Sequence, residues 1–461
     1  MIKLNIENKN ILILGLGVSG VASAKALHIL KANIIISDSK NKEELKRYID
    51  ELKNIPIKYH LGINNINLDN IDLIVKSPGI KNSVPIIQKA IKKNIEVLTD
   101  IELGYRLFDN KFIAITGTNG KTTTTTLVGK VFKEAGITTH ITGNIGVGIL
   151  WELVNSKKED FFIIEASSFQ LENTRFFKPN ISAITNLKPD HLDWHGNYEN
   201  YKNSKAKIFR NQDINDFTIL NYDDLEVRNL ASNTKANIIY FSRREKLSKG
   251  IFIHCDNLVY NDGKKMINII NLEDIKVPGK HNIENIMTTI GIALACDIDI
   301  NSLRKSISNF EGVEHRLEFV DEIKGVRYYN DSKGTNIDAS IQAIKSLNEP
   351  IILIAGGYDK NSYYDEFIES FDGKVKSLIL LGQTANEIKK SAEKHDIENI
   401  YMVNNMKEAV EKAYSLAEYK SNVLLSPASA SWGMYNNYEE RGEDFKNMVK
   451  NIRRNCNDQK S

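Results

Sequence analysis

The sequence predicts an α/β protein of three domains. Three observations carry that expectation. Strand-like apolar runs alternate with helix-like stretches almost throughout, the pattern of parallel α/β architecture. Two of those strands feed glycine turns that open helices, ILILGLGVSG from Ile11 and KFIAITGTNGKT from Lys111. The chain has 461 residues, and domains commonly take about 100–200 each. The first and third domains read as Rossmann-like, the central one as a P-loop-type ATPase domain.

In chain order, ILILGLG (11–17) is a buried strand entering a turn, Val18–Leu30 a helix, and ANIIISD (32–38) the next strand. IDLIVKSPGI (71–80) ends another strand in a Pro-Gly turn. A new helix begins near Thr99–Asp100 with IELGYRLF, which sets the first domain at 1–98. The second, 99–312, opens with KFIAITG (111–117) and holds strands at FFIIEASS (161–168) and ISAITNL (181–187). Residues 211–275 read as polar and irregular with short β-like pieces. PGKHNIENIMTTIGIALA (278–295) is a glycine turn and a helix. The third domain, 313–461, contains VRYYND, IILIAGG, SLILLG and NVLLSPAS. The terminal RRNCNDQKS is expected to fray.

Composition narrows the function classes. Lys and Arg number 61 against 59 Asp and Glu, a net charge of +2. A nucleic-acid binder would show a clustered basic surplus. The three cysteines, Cys255, Cys296 and Cys456, lie far apart with no CxxC, which fits a reducing compartment and no zinc or disulfide framework. MIKLNIENKN lacks the pattern of a signal peptide. The apolar run Ile11–Ala24 is too short and too glycine-rich for a membrane span. The expectation is a soluble, cytoplasmic protein with no nucleic-acid or membrane partner.

ITGTNGKTTTTT (115–126) breaks the usual G-x-x-x-x-G-K-[ST] spacing. Only two residues separate Gly117 from Gly120, and Ile115 stands where the first glycine would be. A strand, a glycine turn and a helix start still present backbone N–H groups at a positive dipole end, which binds anions. Lys121 adds a mobile charge and the Thr122 hydroxyl can hold Mg²⁺. The competing account is an ordinary βα turn that contains G-K-T. In the first domain, Gly15, Gly17 and Gly20 form a G-x-G-x-x-G turn, with Asp38 closing the next strand at the spacing of a ribose contact. Alone, that pattern points to NAD.

The loop ITGTNGKTT resembles the shortened phosphate loop of the Mur ligases and their folylpolyglutamate synthetase relatives. TGNIG (142–146), EASSFQLE (165–172), TNLKPDHLDWHG (185–196), SKAKIF (204–209), GKHNIEN (279–285), EHRLE (314–318), NDSKGTN (330–336) and LLSPASASW (424–432) follow in the family's order. Within the family, SSFQLE, DSKGTN and SPASAS resemble the branch that adds D-glutamate to UDP-N-acetylmuramoyl-L-alanine.

The resemblance implies an ATP-dependent, ADP-forming ligase of cytoplasmic peptidoglycan precursor synthesis, acting as a monomer with ATP and two Mg²⁺ ions. ATP would turn a carboxylate into an acyl phosphate that an amine attacks, with the transferring charge neutralised by positioning and electrostatics. It places Gly117, Thr118, Asn119, Gly120, Lys121, Thr122 and Thr123 on ATP, with Asn282, Asn285, Arg316 and Asp331. Thr122, Glu165, His191 and Lys205 would serve the metal ions, Lys205 as a CO₂-derived carbamate. Gly15, Gly17, Ser19, Asp38, Ser77 and Asn144 would take the UDP-bearing substrate. Lys333, Thr335, Lys360, Ser431 and Tyr438 would take the amino acid, Tyr438 replacing a common Phe. Taken singly, the same residues look plainer: Lys205 as a surface lysine, His191 as a buried, hydrogen-bonded histidine, and Asn282 as a helix N-cap.

Other functions fit parts of the pattern. A sister ligase would use another amino acid. An NAD-dependent dehydrogenase explains GLGVSG and Asp38 but leaves the ATP loop and Lys205 without purpose. A non-catalytic nucleotide-binding module would bind ATP without substrate-dependent phosphate release.

Overall fold

The run NILIL supplies the centre of the first sheet because four of its five residues are fully buried. The computed structural model describes residues 4–63, 66–358 and 363–458. The first sheet comprises β1 (Asn10–Leu14), β2 (Asn33–Asp38), β3 (Ile57–Leu61), β4 (Leu73–Lys76) and β5 (Glu96–Leu98), in the order β3-β2-β1-β4-β5. All its pairings are parallel. The chain winds outward from β1 to β3 and returns to β4 on the other side of β1. The strand order therefore reverses between β1 and β4, and open α/β sheets bind ligands beyond the carboxyl ends of the strands at such a point.

The second sheet has nine strands: β6 (Lys111–Thr116), β7 (Thr139–Gly143), β8 (Phe161–Glu165), β9 (Ile181–Ile184), β10 (Phe217–Asn221), β11 (Asn237–Ser242), β12 (Gly250–His254), β13 (Asn257–Asn261) and β14 (Met266–Asn271). Their order is β14-β13-β12-β11-β10-β9-β6-β8-β7. β6 sits between β8 and β9, in parallel register with both. The region 211–275, expected to be polar and irregular with short β-like pieces, supplies five ordered strands, β10 to β14. Asparagine-rich strands such as NLVYN and MINIIN carry weak strand propensity, and the edge sheet itself, antiparallel through β12, β13 and β14, holds them. Cys255 and Asp256, both at positive φ, turn the β12–β13 hairpin.

The third sheet runs β15 (Glu318–Ile323), β16 (Val326–Asn330), β17 (Ile351–Ala355), β18 (Val375–Leu380), β19 (Ile400–Met402) and β20 (Asn422–Leu425), in the order β15-β16-β20-β17-β18-β19. Only the β15–β16 hairpin is antiparallel. A helix at Tyr438–Asp458 follows and takes in residues 453–458 of the terminal RRNCNDQKS. The chain packs as two compact units: one takes the chain up to Asp274 together with Glu284–Ser308, the other Ile275–Ile283 and the chain from Asn309 onward.

The first unit joins the first two sheets. A β-carbon on Gly148 would lie 2.4 Å from that of Ala22, so the helices Val18–Ile29 and Ile149–Asn155 approach at a distance that only glycine permits. The fully buried Glu102 carboxylate accepts the backbone N–H groups of Arg175, Phe176 and Phe177 at 2.9–3.0 Å, which compensates its desolvation.

Candidate active site

The turn between β6 and the helix Lys121–Glu134 is shaped by two glycines. Gly117 has φ +148° and Gly120, at the helix N-cap, φ +85°. A β-carbon on Gly117 would stand 2.0 Å from Thr185 Oγ1, and one on Gly120 2.1 Å from Asn285 Oδ1. The Asn119 N–H donates to Asn186 Oδ1 at 2.9 Å, and its carbonyl accepts from Thr185 Oγ1 at 2.6 Å. Thr118 Oγ1 accepts the Lys188 N–H at 2.9 Å and lies 2.9 Å from the Tyr201 hydroxyl. These bonds tie the loop to the segment that follows β9 and to Tyr201. Thr122, Thr123, Thr124 and Thr125 are buried along the helix.

Two lysines converge on one carbonyl. Lys121 Nζ donates to Gly117 O at 3.0 Å and to Thr118 O at 2.8 Å; Lys205 Nζ donates to the same Gly117 O at 2.8 Å. Lys205 is no surface lysine: it is 2% exposed, because the helix Tyr198–Ala206 turns that face inward. Burial, and then the Lys121 charge, hold its ammonium well below the usual lysine range, against the pull of Asp190 and Glu165. Its Nζ also lies 4.8 Å from the centre of the Tyr201 ring.

Glu165 ends β8 and is 2% exposed. Asn144 grips it twice, through its backbone N–H on Glu165 O at 2.9 Å and its side-chain amide on Oε1 at 3.0 Å. Oε2 is buried with no hydrogen-bond partner. A buried, unsatisfied carboxylate oxygen fits a hard cation, which prefers oxygen ligands. His191 is not the buried histidine that its type suggests. Its side chain is 49% exposed, with Nε2 3.5 Å from Asp190 Oδ2 and its ring edge-on to Phe169.

In the first sheet the glycine turn, Asp38 and Ser77 do meet. Asp38 Oδ2 accepts the Leu16 N–H at 2.7 Å, so part of its acceptor capacity serves the turn itself. Ser77, just past β4, donates to Gly15 O at 3.2 Å. Gly15, at φ +92°, has no room for a side chain, since a β-carbon would lie 2.6 Å from Ser77 Oγ. A β-carbon on Gly17 would meet nothing within 4 Å, which leaves its edge of the turn open. Ser19 is half-buried on the first turn of the following helix.

The remaining predicted residues divide between the units. Asn285 belongs to the first and packs on the phosphate loop, where it accepts from Thr124 Oγ1 at 3.4 Å. Asn282 belongs to the second. It is not an N-cap: the helix starts at Lys280, and the Asn282 amide donates back to Pro278 O at 2.6 Å. Asp331 is buried past β16, accepting from Ser426 Oγ at 2.7 Å and the Leu317 N–H at 3.1 Å. Burial pushes its carboxyl up to about 6, with Arg316 opposing. Lys333 Nζ stands 5.2 Å from the centre of the Tyr438 ring. Thr335 closes the same turn with its N–H on Lys333 O, and Ser431 is buried past β20. Lys360 lies outside the described residues.

Three residues escaped the sequence reading. Tyr201 ties Thr118 to the neighbourhood of Lys205. Asp190, beside His191, acts on the Lys205 ammonium. Arg441, 2% exposed, donates to Ser332 Oγ at 3.0 Å, Ser332 O at 2.8 Å and Ser429 O at 3.1 Å, joining DSKGTN to SPASAS. Its setting, EERGED, looks like a solvated helix face. The usable signal lay in the two serine-rich motifs, whose buried carbonyls need a multidentate donor.

Comparison with known proteins covers the whole chain. Residues 9–99 match the model of the Mur ligase MurD-like N-terminal domain, 115–293 the Mur ligase middle domain, and 315–429 the Mur ligase glutamate ligase domain. The UDP-N-acetylmuramoylalanine–D-glutamate ligase of Alkaliphilus oremlandii is 46% identical over 456 residues, covering 98% of this chain and 100% of the relative. The protein of the same name from Clostridioides difficile is 44% identical over 452 residues, with 98% and 100% covered. Among solved structures, the UDP-N-acetylmuramate-alanine ligase MurC of Thermotoga maritima aligns with a TM-score of 0.60 at 19% identity, covering 96% of this chain and 99% of that one. E. coli FolC aligns at 0.58 and 16%, covering 77% and 94%. Those two likenesses speak to the fold alone.

Proposed function

The chain belongs to the Mur ligase family, and on that premise we propose that it joins D-glutamate to UDP-N-acetylmuramoyl-L-alanine, driven by ATP. The observation that carries the chemistry is the group around Gly117 O, with two lysines on one carbonyl and a buried carboxylate oxygen, Glu165 Oε2, without a partner. ATP supplies the phosphoryl group that makes the substrate carboxylate electrophilic, and Mg²⁺ neutralises charge on it.

The protein's part is positioning. The loop N–H groups and the helix N-terminus favour an anion before it binds. Lys121 stands where it can leave the carbonyls of Gly117 and Thr118 for phosphate oxygens. Lys205 is held with a depressed ammonium beside that charge. Its neutral amine can donate its lone pair to the carbon of CO₂, lose a proton to solvent and become a carbamate anion. That replaces a repulsive pair with an attractive one. The carbamate would add oxygen donors to those of Glu165 and Thr122 for holding Mg²⁺, with His191 as a further ligand. Asn282, Asn285, Arg316 and Asp331 take the ATP side in this account. Gly15, Gly17, Ser19, Asp38, Ser77 and Asn144 take the UDP-bearing substrate. Lys333, Thr335, Lys360, Ser431 and Tyr438 take D-glutamate, whose two carboxylates call for cationic and hydroxyl groups.

No helix among the described residues is long and apolar enough to cross a membrane; we place the protein in the cytoplasm, as a monomer. The deciding experiment is phosphate release from ATP across a panel of amino acids. Release should require both the UDP-bearing substrate and D-glutamate. Release with a different amino acid in its place would overturn the assignment.

A further inference from the structure

We propose that Lys76 is a positioning residue for the UDP-bearing substrate, holding the Ser77–Ile80 turn against the glycine turn of the first sheet. This rests on the assignment of the Gly15–Ser77 crevice to that substrate. Lys76 is the last residue of β4 and is 1% exposed. An ammonium is costly to bury unless it is bonded and paired, and an apolar residue would continue the run Leu73, Ile74, Val75 without that cost. Here the ammonium has a structural task. Nζ donates to Ile80 O at 2.6 Å across the turn Ser77-Pro78-Gly79-Ile80. The Ile80 N–H donates to Ser77 O at 3.1 Å, so the turn is closed once by backbone and once by the lysine.

That turn forms one wall of the crevice where the strand order reverses. The Ser77 N–H donates to Leu14 O at 2.8 Å and its hydroxyl to Gly15 O at 3.2 Å. A β-carbon on Gly15 would be 2.6 Å from Ser77 Oγ and 3.3 Å from Ile80 Cδ1, so both ends of the turn bear on that glycine. Lys76 also feels a charge from the element that follows the Glu165 strand. The opposite charge acting on it is that of Glu172, on the short helix Ser168–Glu172 that follows Glu165. Glu172 is itself fixed, its carboxylate accepting the Trp194 indole N–H at 3.2 Å and its carbonyl accepting from Lys207 Nζ. Lys81, one residue past the turn, sits 5.3 Å from the Trp194 ring centre. Burial lowers the Lys76 ammonium to about 8, with Glu172 opposing. A group poised there loses its charge just above neutrality.

The test is the kinetics of Lys76→Met, which keeps the bulk and removes the donor and the charge. The KM for UDP-N-acetylmuramoyl-L-alanine should rise about tenfold or more while kcat and the KM for ATP stay within about twofold. In the unaltered enzyme that KM should rise between about pH 7 and about pH 9, and in Lys76→Met it should be flat over the same range. A change in melting temperature with an unchanged KM would overturn the proposal and leave Lys76 a packing residue. Should Lys76→Met fail to fold, Lys76→Leu stands in for it: an unchanged KM for the UDP-bearing substrate overturns the proposal, and a raised one supports it. Ser77→Ala separates this from the underlying assignment. If Ser77→Ala raises the KM and Lys76→Met does not, only the role of Lys76 fails; if neither does, the crevice assignment fails with it.

Discussion

Gly120→Ala isolates the geometry of the phosphate loop from its charge. Two costs add. The residue sits at φ +85°, where an L side chain costs about 1–2 kcal/mol. Its new β-carbon would lie 2.1 Å from Asn285 Oδ1 and 3.1 Å from Asn285 Cγ, where ordinary contact begins near 3.4 Å. Relief needs a shift of about 1.3 Å. Asn285 is buried and bonded by Thr124 Oγ1, so the side chain cannot simply swing away. Overpacking of this kind costs about 1–3 kcal/mol. The sum, about 2–5 kcal/mol, should lower the melting temperature by several degrees. A loop displaced by about 1 Å should also lose about 10²-fold in turnover. Calorimetry and a coupled phosphate-release assay read the two effects. Gly120→Ala/Asn285→Ala removes the clashing amide, so it should melt higher than Gly120→Ala alone. A Gly120→Ala enzyme with kcat within about threefold and an unchanged melting temperature would refute the claim that this approach sets the loop.

Three further outcomes follow from the same structure. Lys121→Ala should lower turnover by at least about 10²–10³-fold, the scale of losing one group that stabilises transition-state charge, and retained activity would remove its role. Asp331 should weaken the fold at neutral pH. Its carboxyl rises from 3.8 to about 6 on folding, so the folded state holds the extra proton and stability falls as pH climbs from about 4 to about 6. Asp331→Asn should therefore be more stable at pH 7, by up to about 3 kcal/mol, with the gain gone at about pH 4; equal denaturation midpoints at both pH values would contradict this. Turnover in CO₂-stripped buffer should fall about 10–100-fold and return on adding bicarbonate, whereas Lys205→Arg should be low in both; an unaltered enzyme indifferent to bicarbonate would exclude the carbamate.

The strands around the site were legible because burial on both faces writes itself as continuous apolar runs: ILIL, FIAIT, FFIIE and IILIA all lie within strands. The phosphate loop was legible because its glycines answer a backbone demand that residue type alone reveals. The outer strands of the second sheet were not, since β13 and the edge strand β14 carry asparagines on incompletely buried positions and draw their order from neighbours. Nor was the burial of Lys205, which only the family resemblance singled out, or that of Arg441. A lysine in NSKAKIF and an arginine in EERGED look solvated, and their burial depends on which helix face meets the sheet. Sequence alone does not specify that face when the buried residue is itself charged.

Those buried cations have a common logic. Lys76, Lys205 and Arg441 each spend a guanidinium or ammonium on backbone carbonyls of turns that carry the site: Ile80 O, Gly117 O, and Ser332 O with Ser429 O. Turn carbonyls are acceptors left over when the chain leaves a strand, and a buried cation satisfies them while fixing where the turn lies. Burial then lowers each cation's affinity for its proton, to about 8 for Lys76, to about 10 for Arg441 and well down for Lys205. An arginine starts so far above neutrality that it keeps its charge after such a fall, so at the Ser332–Ser429 junction it can serve as a fixed brace. A lysine lowered by burial holds its charge less firmly. It becomes responsive to pH at the UDP-side turn and, beside Lys121, to CO₂ at the phosphate loop. Exchanging the two residue types should therefore separate the roles. Lys205→Arg would keep a donor for Gly117 O, now with a fixed positive charge, yet lose the amine that CO₂ requires. A variant that folds like the unaltered enzyme but no longer turns over would assign Lys205 to chemistry and not to bracing the loop.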